Sequence, residues 1–270
     1  MGFALTIVII SGSTTADWPG GSYTEKLPQA FMPIILGTFI AAFRTGRRDA
    51  QHNLAESAPL GADQRALARL ASLALPVILT VLVAAGLVIA SRIEGGFWLG
   101  DHPRRTDTAL HPFSELLQMP LVVAFVGALG IAIGRARPRL SISLVILSGA
   151  ALFTMFPGYW LWNIPPAHVF TPVQTQPMFI DLDAATNIEQ TPTAWFVEIP
   201  GTDERTSHDD KPTRQLVHQP TIIAHDLYLI GLTAVLAGLA VRGTLGRRAT
   251  WAGAALAVGG VVAQLLVSPL

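Results

Sequence analysis

Residues 71–91 read ASLALPVILTVLVAAGLVIAS, twenty-one positions without a charged side chain. Wound as a helix at ~1.5 Å per residue, such a run crosses the ~30 Å of hydrocarbon in a bilayer. Three further runs share its character: Leu116 to Gly134, Leu140 to Trp162 and Ala249 to Leu270. Leu27 to Phe43 is slightly shorter and equally apolar, and Leu227 to Val241 becomes a full span if Thr221 to Asp226 supplies its first turn. The expected fold is therefore all-α: a polytopic transmembrane helix bundle of six full spans, with residues 1–270 as one transmembrane domain. A soluble protein with buried helices of this kind needs polar, amphipathic partners to cover them, and almost none are present.

Composition points the same way. The 270 residues are 51% hydrophobic and 13% charged, against roughly 25% charged in a soluble domain, and the mean hydropathy is +0.47. Net charge is zero, so no basic surplus suggests nucleic acid as a partner. Without cysteine, disulfides, thiolate chemistry and cysteine-based metal sites are excluded. A seventh apolar stretch, Met1 to Ile10, is too short to span and lacks the positive n-region of a secretory signal. It reads as the second half of a helix that begins upstream.

Numbered alternately along the chain, the loops fall into two sets. Arg44 to Ser72, Arg135 to Arg139 and Arg242 to Arg248 hold eleven of the 18 Lys and Arg residues. The positive-inside rule makes that set cytoplasmic. The expected protein lies in the cell membrane as a multi-pass chain, with its N-terminus cytoplasmic, its C-terminus extracytoplasmic, and an extracytoplasmic loop at 157–220. Trp98, Trp160 and Trp162 then fall at outer ends and Trp251 near an inner one, as interfacial aromatics should.

Few groups in the expected spans carry chemistry. No charged side chain sits at the centre of one, so the usual flag for a proton relay or ion path is missing. Small residues recur at helix-packing spacing in Gly130 and Gly134, Ala234 and Gly238, and Ala255 and Gly259. Pro33, Pro76 and Pro120 lie early in their helices and are read as structural. His225 and Asp226 open the sixth span, where the Asp is expected to stabilise the helix N-terminus. The outer loop holds eight acidic and three basic residues. A metal site from His208, Asp209, Asp210 and His218 lacks any helical ligand pair or HExxH motif, so scattered solvated histidines are the better account. No cofactor or metal is expected.

The cytoplasmic loop 44–72, RTGRRDAQHNLAESAPLGADQRALARLAS, is the most informative stretch. Arg48 to Ser57 favour helix, Pro59 and Gly61 force a turn, and Asp63 serves as the N-cap of a second helix entering the membrane at Leu73. Leu67, Leu70 and Ala74 are expected to line one face of that helix. Arg65 and Arg69, one turn apart, suit contact with inner-leaflet headgroups.

The pattern R-R-D-x-x-x-x-L-A-E-S-A-P-L from Arg47, followed by R-A-L-A-R-L-A-S from Arg65, resembles the coupling region of type 2 ABC transporter permeases. The run H-D-L-Y-L-I-G-L-T-A-V-L-A-G-L-A-V-R from His225 is similar to the sixth helix of permease-like proteins common in high-GC Gram-positive bacteria. The resemblance implies a permease subunit of an ABC transporter, an exporter, with about six spans. Its implied partners are a separate ATP-binding cassette subunit and a second permease copy or paralogue, beside the lipid bilayer. It also implies that Asn53, Glu56, Ser57 and Pro59 contact the ATPase subunit. The chain has no GxxxxGK[ST] phosphate loop, so the permease itself is not expected to be an enzyme. Two departures stand out: the short first apolar segment, and a helix from Ala249 to Leu270 after the family's usual sixth. These keep a second reading in view, a non-transporting membrane interaction or regulatory protein. A membrane-embedded enzyme acting on lipid or peptide requires polar residues converging inside the bundle, and none are expected to converge.

Overall fold

The computed structural model describes residues 23–51, 61–94, 97–98, 108–109, 113–136, 207–208, 211–212, 219–241 and 243–267, with isolated positions at Ile142, Val145, Gly149, Pro166 and Val169. Six helices carry the described fold: α1 (Tyr23–Gln51), α2 (Ala62–Ser72), α3 (Ala74–Glu94), α4 (Phe113–Arg135), α5 (Gln219–Val241) and α6 (Gly243–Val267). Two antiparallel ladders of two residues each join them, β1 (Phe97–Trp98) with β2 (Thr108–Ala109) and β3 (Ser207–His208) with β4 (Lys211–Pro212).

Among the described residues, four helical stretches are long and apolar enough to cross a membrane: Asp63–Ala90, Leu116–Arg135, Pro220–Val241 and Gly243–Val267. By length and composition this is the helical architecture of a multi-pass membrane protein. The expected span Leu27 to Phe43 falls within α1, which continues unbroken to Gln51. Met1 to Ile10, the span Leu140 to Trp162 apart from three isolated positions, and most of the loop 157–220 lie outside the described residues.

Helix α4 is apolar on all sides and occupies the centre, against α1, α3 and α5. Val122, Val123, Val126 and Ala128 are fully buried, the condition of a helix hydrophobic all round. Phe31 and Phe39 of α1, Leu116 and Met119 of α4, Ala84 and Leu87 of α3, and Leu229 of α5 close one core. Helix α3 is peripheral: Leu75, Ile78, Leu82, Ile89 and Ile93 point outward. A lipid environment removes the cost that such a face carries in water.

Between apolar helices in lipid, association depends on close packing rather than on hydrophobic burial. That packing is densest between α5 and α6. The buried residues of α6 are Gly246, Gly253, Ala257, Gly260 and Gln264, a period of seven that keeps one seam against the neighbouring helix. A Cβ added at Gly253 would lie 2.7 Å from both the Gly231 oxygen and the Val235 nitrogen. Gly130 approaches the backbone of Phe39 on α1 in the same way, its added Cβ lying 2.8 Å from the Phe39 oxygen, and Gly238 faces Gly246 and Thr250. Of the three small pairs singled out in the sequence, Gly130 with Gly134 and Ala234 with Gly238 meet helices, whereas Ala255 and Gly259 do not. Ala255 is exposed, and Gly259 has nothing within 4 Å of an added Cβ. The seam of α6 runs one position away, through Gly260, because the period is seven and passes through Gly246 and Gly253.

The loop-side helix also differs from expectation in detail. The N-cap of α2 is Gly61, whose N–H donates to Gln64 Oε1 at 3.1 Å, leaving Asp63 in the first turn. A carboxylate there still complements the helix dipole. The buried face of α2 is set by Ala66, fully buried, while Leu67 is exposed. Helix α2 passes into α3 through a single turn at Leu73, whose N–H donates to the Leu70 oxygen at 3.0 Å.

Candidate functional site

The basic residues gather at one end of the bundle. A Cβ at Gly46 would lie 2.6 Å from the Ile131 oxygen, and one at Gly134 would lie 2.9 Å from the Arg47 nitrogen. The C-terminal halves of α1 and α4 therefore cross side by side and carry Arg44, Arg47, Arg48 and Arg135 to the same level. The turn between α5 and α6 comes to that level as well. Gly243, with φ +59°, lies against α2, where a Cβ would meet Asp63 Oδ2 at 2.6 Å. Arg247 and Arg248 follow on exposed positions of α6. Loops assigned to one side by charge counting are thus neighbours in space.

Helix α2 is held at this end against α1, α3, α4 and α5. Arg65 and Arg69 are half-buried, and Arg69 Nη1 is fully enclosed. Among the described residues at this end, Arg44, Arg48, Arg247 and Arg248 are exposed. Asn53, Glu56, Ser57 and Pro59 lie outside the described residues. Beside the Leu73 turn is a cleft of about 380 Å³, lined by Gly37, Thr38, Ala41, Thr45, Leu73 and Pro76 among others. The joint between α2 and α3 therefore has open space on its α1 side.

A second site, at the other end, was not expected. Helix α5 begins at Gln219, so Pro220 is its second residue and Asp226 its eighth, about 10 Å along the axis. No acidic residue occupies the first turn of α5. Asp226 therefore does not cap the helix, as its position in the sequence suggested. Proline needs no N–H partner in the first turn, which lets the helix begin there and carries His225 and Asp226 inward. His225 is fully buried and Asp226 is 7% exposed.

Their surroundings are polar. His225 Nδ1 lies 3.0 Å from Gln264 Oε1 on α6. The Gln264 amide nitrogen donates to the Gly260 oxygen at 3.1 Å, which orients its oxygen toward the imidazole and makes Nδ1–H the donor. Tyr228 stands one turn further along, its ring centroid 5.6 Å from that of His225. Gln118 of α4 and Thr221 of α5 are buried at the same end. The Asp226 Oδ1 atom is buried and has no hydrogen-bond partner among the described residues. Polar side chains thus do converge inside the bundle, contrary to the sequence-based expectation. The signal that would have found them is Pro220: placed in the first turn, it puts Asp226 two turns inside the span. Among the described residues no group of three or more His, Cys, Asp or Glu side chains is placed to hold a metal ion.

No family model, curated protein or solved structure matches the chain.

Proposed function

We propose that the chain is the transmembrane permease subunit of an ABC transporter, an exporter, driven by a separate ATP-binding subunit through segment 44–72. The observation that carries this reading is the seat of α2. Its first turn touches the α5–α6 turn at Asp63 and Gly243, its Ala66 is buried in the bundle, and its last residue passes into α3 at Leu73. A push on the preceding segment therefore reaches α3 directly and the α5–α6 pair through one contact. Both are packed units, and packed units respond by moving as rigid bodies. The basic end faces the cytoplasm in this reading, with the C-terminal end of α6 on the opposite side of the cell membrane. In this reading Leu27 to Phe43 of α1 and the sequence run Leu140 to Trp162 are the two spans that bring the four to six.

The test uses opposite charge changes. Glu56→Lys reverses charge on the proposed ATPase contact while strengthening attraction to anionic lipid by ~1 kcal/mol. It is expected to leave the protein in the membrane, weaken co-purification with the ATPase and abolish transport-stimulated ATP hydrolysis. If segment 44–72 only binds lipid, Glu56→Lys is neutral and Arg65→Glu with Arg69→Glu is the damaging pair.

A further inference from the structure

We propose that Asp226 is a proton-binding site of the membrane-embedded bundle, its carboxyl gaining and losing a proton beside the His225–Gln264 bridge. Carboxyl groups inside membrane spans are rare and mark ion or proton paths more often than structural contacts. Asp226 lies within the span Pro220–Val241, and its Oδ1 is buried with no hydrogen-bond partner among the described residues. A divalent cation such as Ca²⁺ takes six to eight oxygen ligands, roughly, and no cluster of ligating side chains is present among the described residues. A proton is the ligand that fits, bound at a carboxylate oxygen with no other bond changed.

The titratable and charged groups near it are few. On α5 itself they are His225 and Tyr228. From α6 the facing polar residue is the uncharged Gln264, with Arg247 and Arg248 at the far end of that helix. From α4 it is the uncharged Gln118, with Arg135 at the far end. The Asp63, Arg65 and Arg69 side chains of α2 belong to the basic end. Arg92, in the last turn of α3, is exposed at the Asp226 end of the bundle, whereas among the described side chains of α4, α5 and α6 no fixed positive charge lies at that end, and the charge of the site changes when the proton does. The bridge gives the neighbouring imidazole a fixed orientation, so the site is built rather than accidental. The inference requires only that the bundle crosses a membrane, and it needs no ATPase.

The test is labelling of the full chain in native membrane vesicles with dicyclohexylcarbodiimide, an apolar reagent that attacks protonated carboxyls, followed by residue-level mass mapping. The expected result is an adduct on Asp226 at least about tenfold above that on the exposed Asp63, declining as pH is raised and lost in Asp226→Asn. His225→Gln should leave the adduct in place and shift its pH dependence. An Asp226 that stays unmodified at every pH, or is modified without pH dependence, overturns the proposal while leaving the coupling role of segment 44–72 untouched. Loss of ATPase coupling with labelling intact would separate the two in the other direction.

Discussion

His225 on α5 and Gln264 on α6 are joined by a 3.0 Å hydrogen bond between two fully buried side chains. Thirty-nine residues apart in the sequence, they pin the ends of the two helices that pack most closely. Gly253 and Gly260 set the distance between the backbones, and the bridge fixes their register. A double-mutant cycle with His225→Leu and Gln264→Leu, read by unfolding in detergent, should give a coupling energy of about 1 kcal/mol. Gln264→Leu alone should cost more than the double change, because it leaves the imidazole N–H buried without its acceptor.

The α5–α6 seam makes a contrast between two glycines of one helix. Gly253→Val drives a branched side chain into the Gly231 and Val235 backbone and should destabilise the pair by about 1–3 kcal/mol. Gly259→Ala meets open space and should be neutral or slightly stabilising. Thermal unfolding of both variants in one detergent checks the difference, which sequence spacing alone would have assigned the other way.

Gly243 combines a left-handed backbone, φ +59°, with a near contact to Asp63. Gly243→Ala should cost about 1–2 kcal/mol from backbone strain and also push Asp63 away. Asp63→Ala together with Gly243→Ala should remove the second effect and keep the first. Comparison of the two variants by thermal unfolding, and by transport-stimulated ATP hydrolysis, shows whether the contact between α2 and the α5–α6 turn transmits force or only packs.

Much of this arrangement was legible in the sequence, because membrane spans announce themselves by uncharged length. Residues 71–91 and 116–134 need nothing beyond a count, and the Arg runs at 44–48 and 247–248 identify one end of the bundle. What stayed hidden depends on phase along a helix. Ala66 rather than Leu67 faces inward on α2, and Gly260 rather than Gly259 lies in the α6 seam. A shift of one residue turns a helix by about 100°, and apolar side chains suit lipid and protein neighbours equally, so composition does not choose between them. The Asp226 site was hidden for a different reason: its depth depends on where α5 begins, which Pro220 decides.

In the proposed orientation the basic end of the bundle faces the cytoplasm. With no native cysteine in the chain, single cysteines at the exposed positions Arg44, Ser72 and Arg248 should all react with an impermeant thiol reagent only after the membrane is opened. Cysteines at Arg92 and Val267, exposed at the other ends of α3 and α6, should react in intact cells. Labelling that splits the first three between the two sides would break the bundle as described.

The central claim is that this bundle is driven from its basic end by a separate ATP-binding subunit, and recovery of that subunit tests it most directly. The full chain, tagged and extracted in mild detergent, should co-purify with an ATP-binding cassette protein, and Glu56→Lys should reduce that recovery while the amount of membrane-extracted chain stays constant. Recovery of the intact chain with no ATP-binding subunit would contradict the account, leaving the multi-pass helical bundle without the permease role.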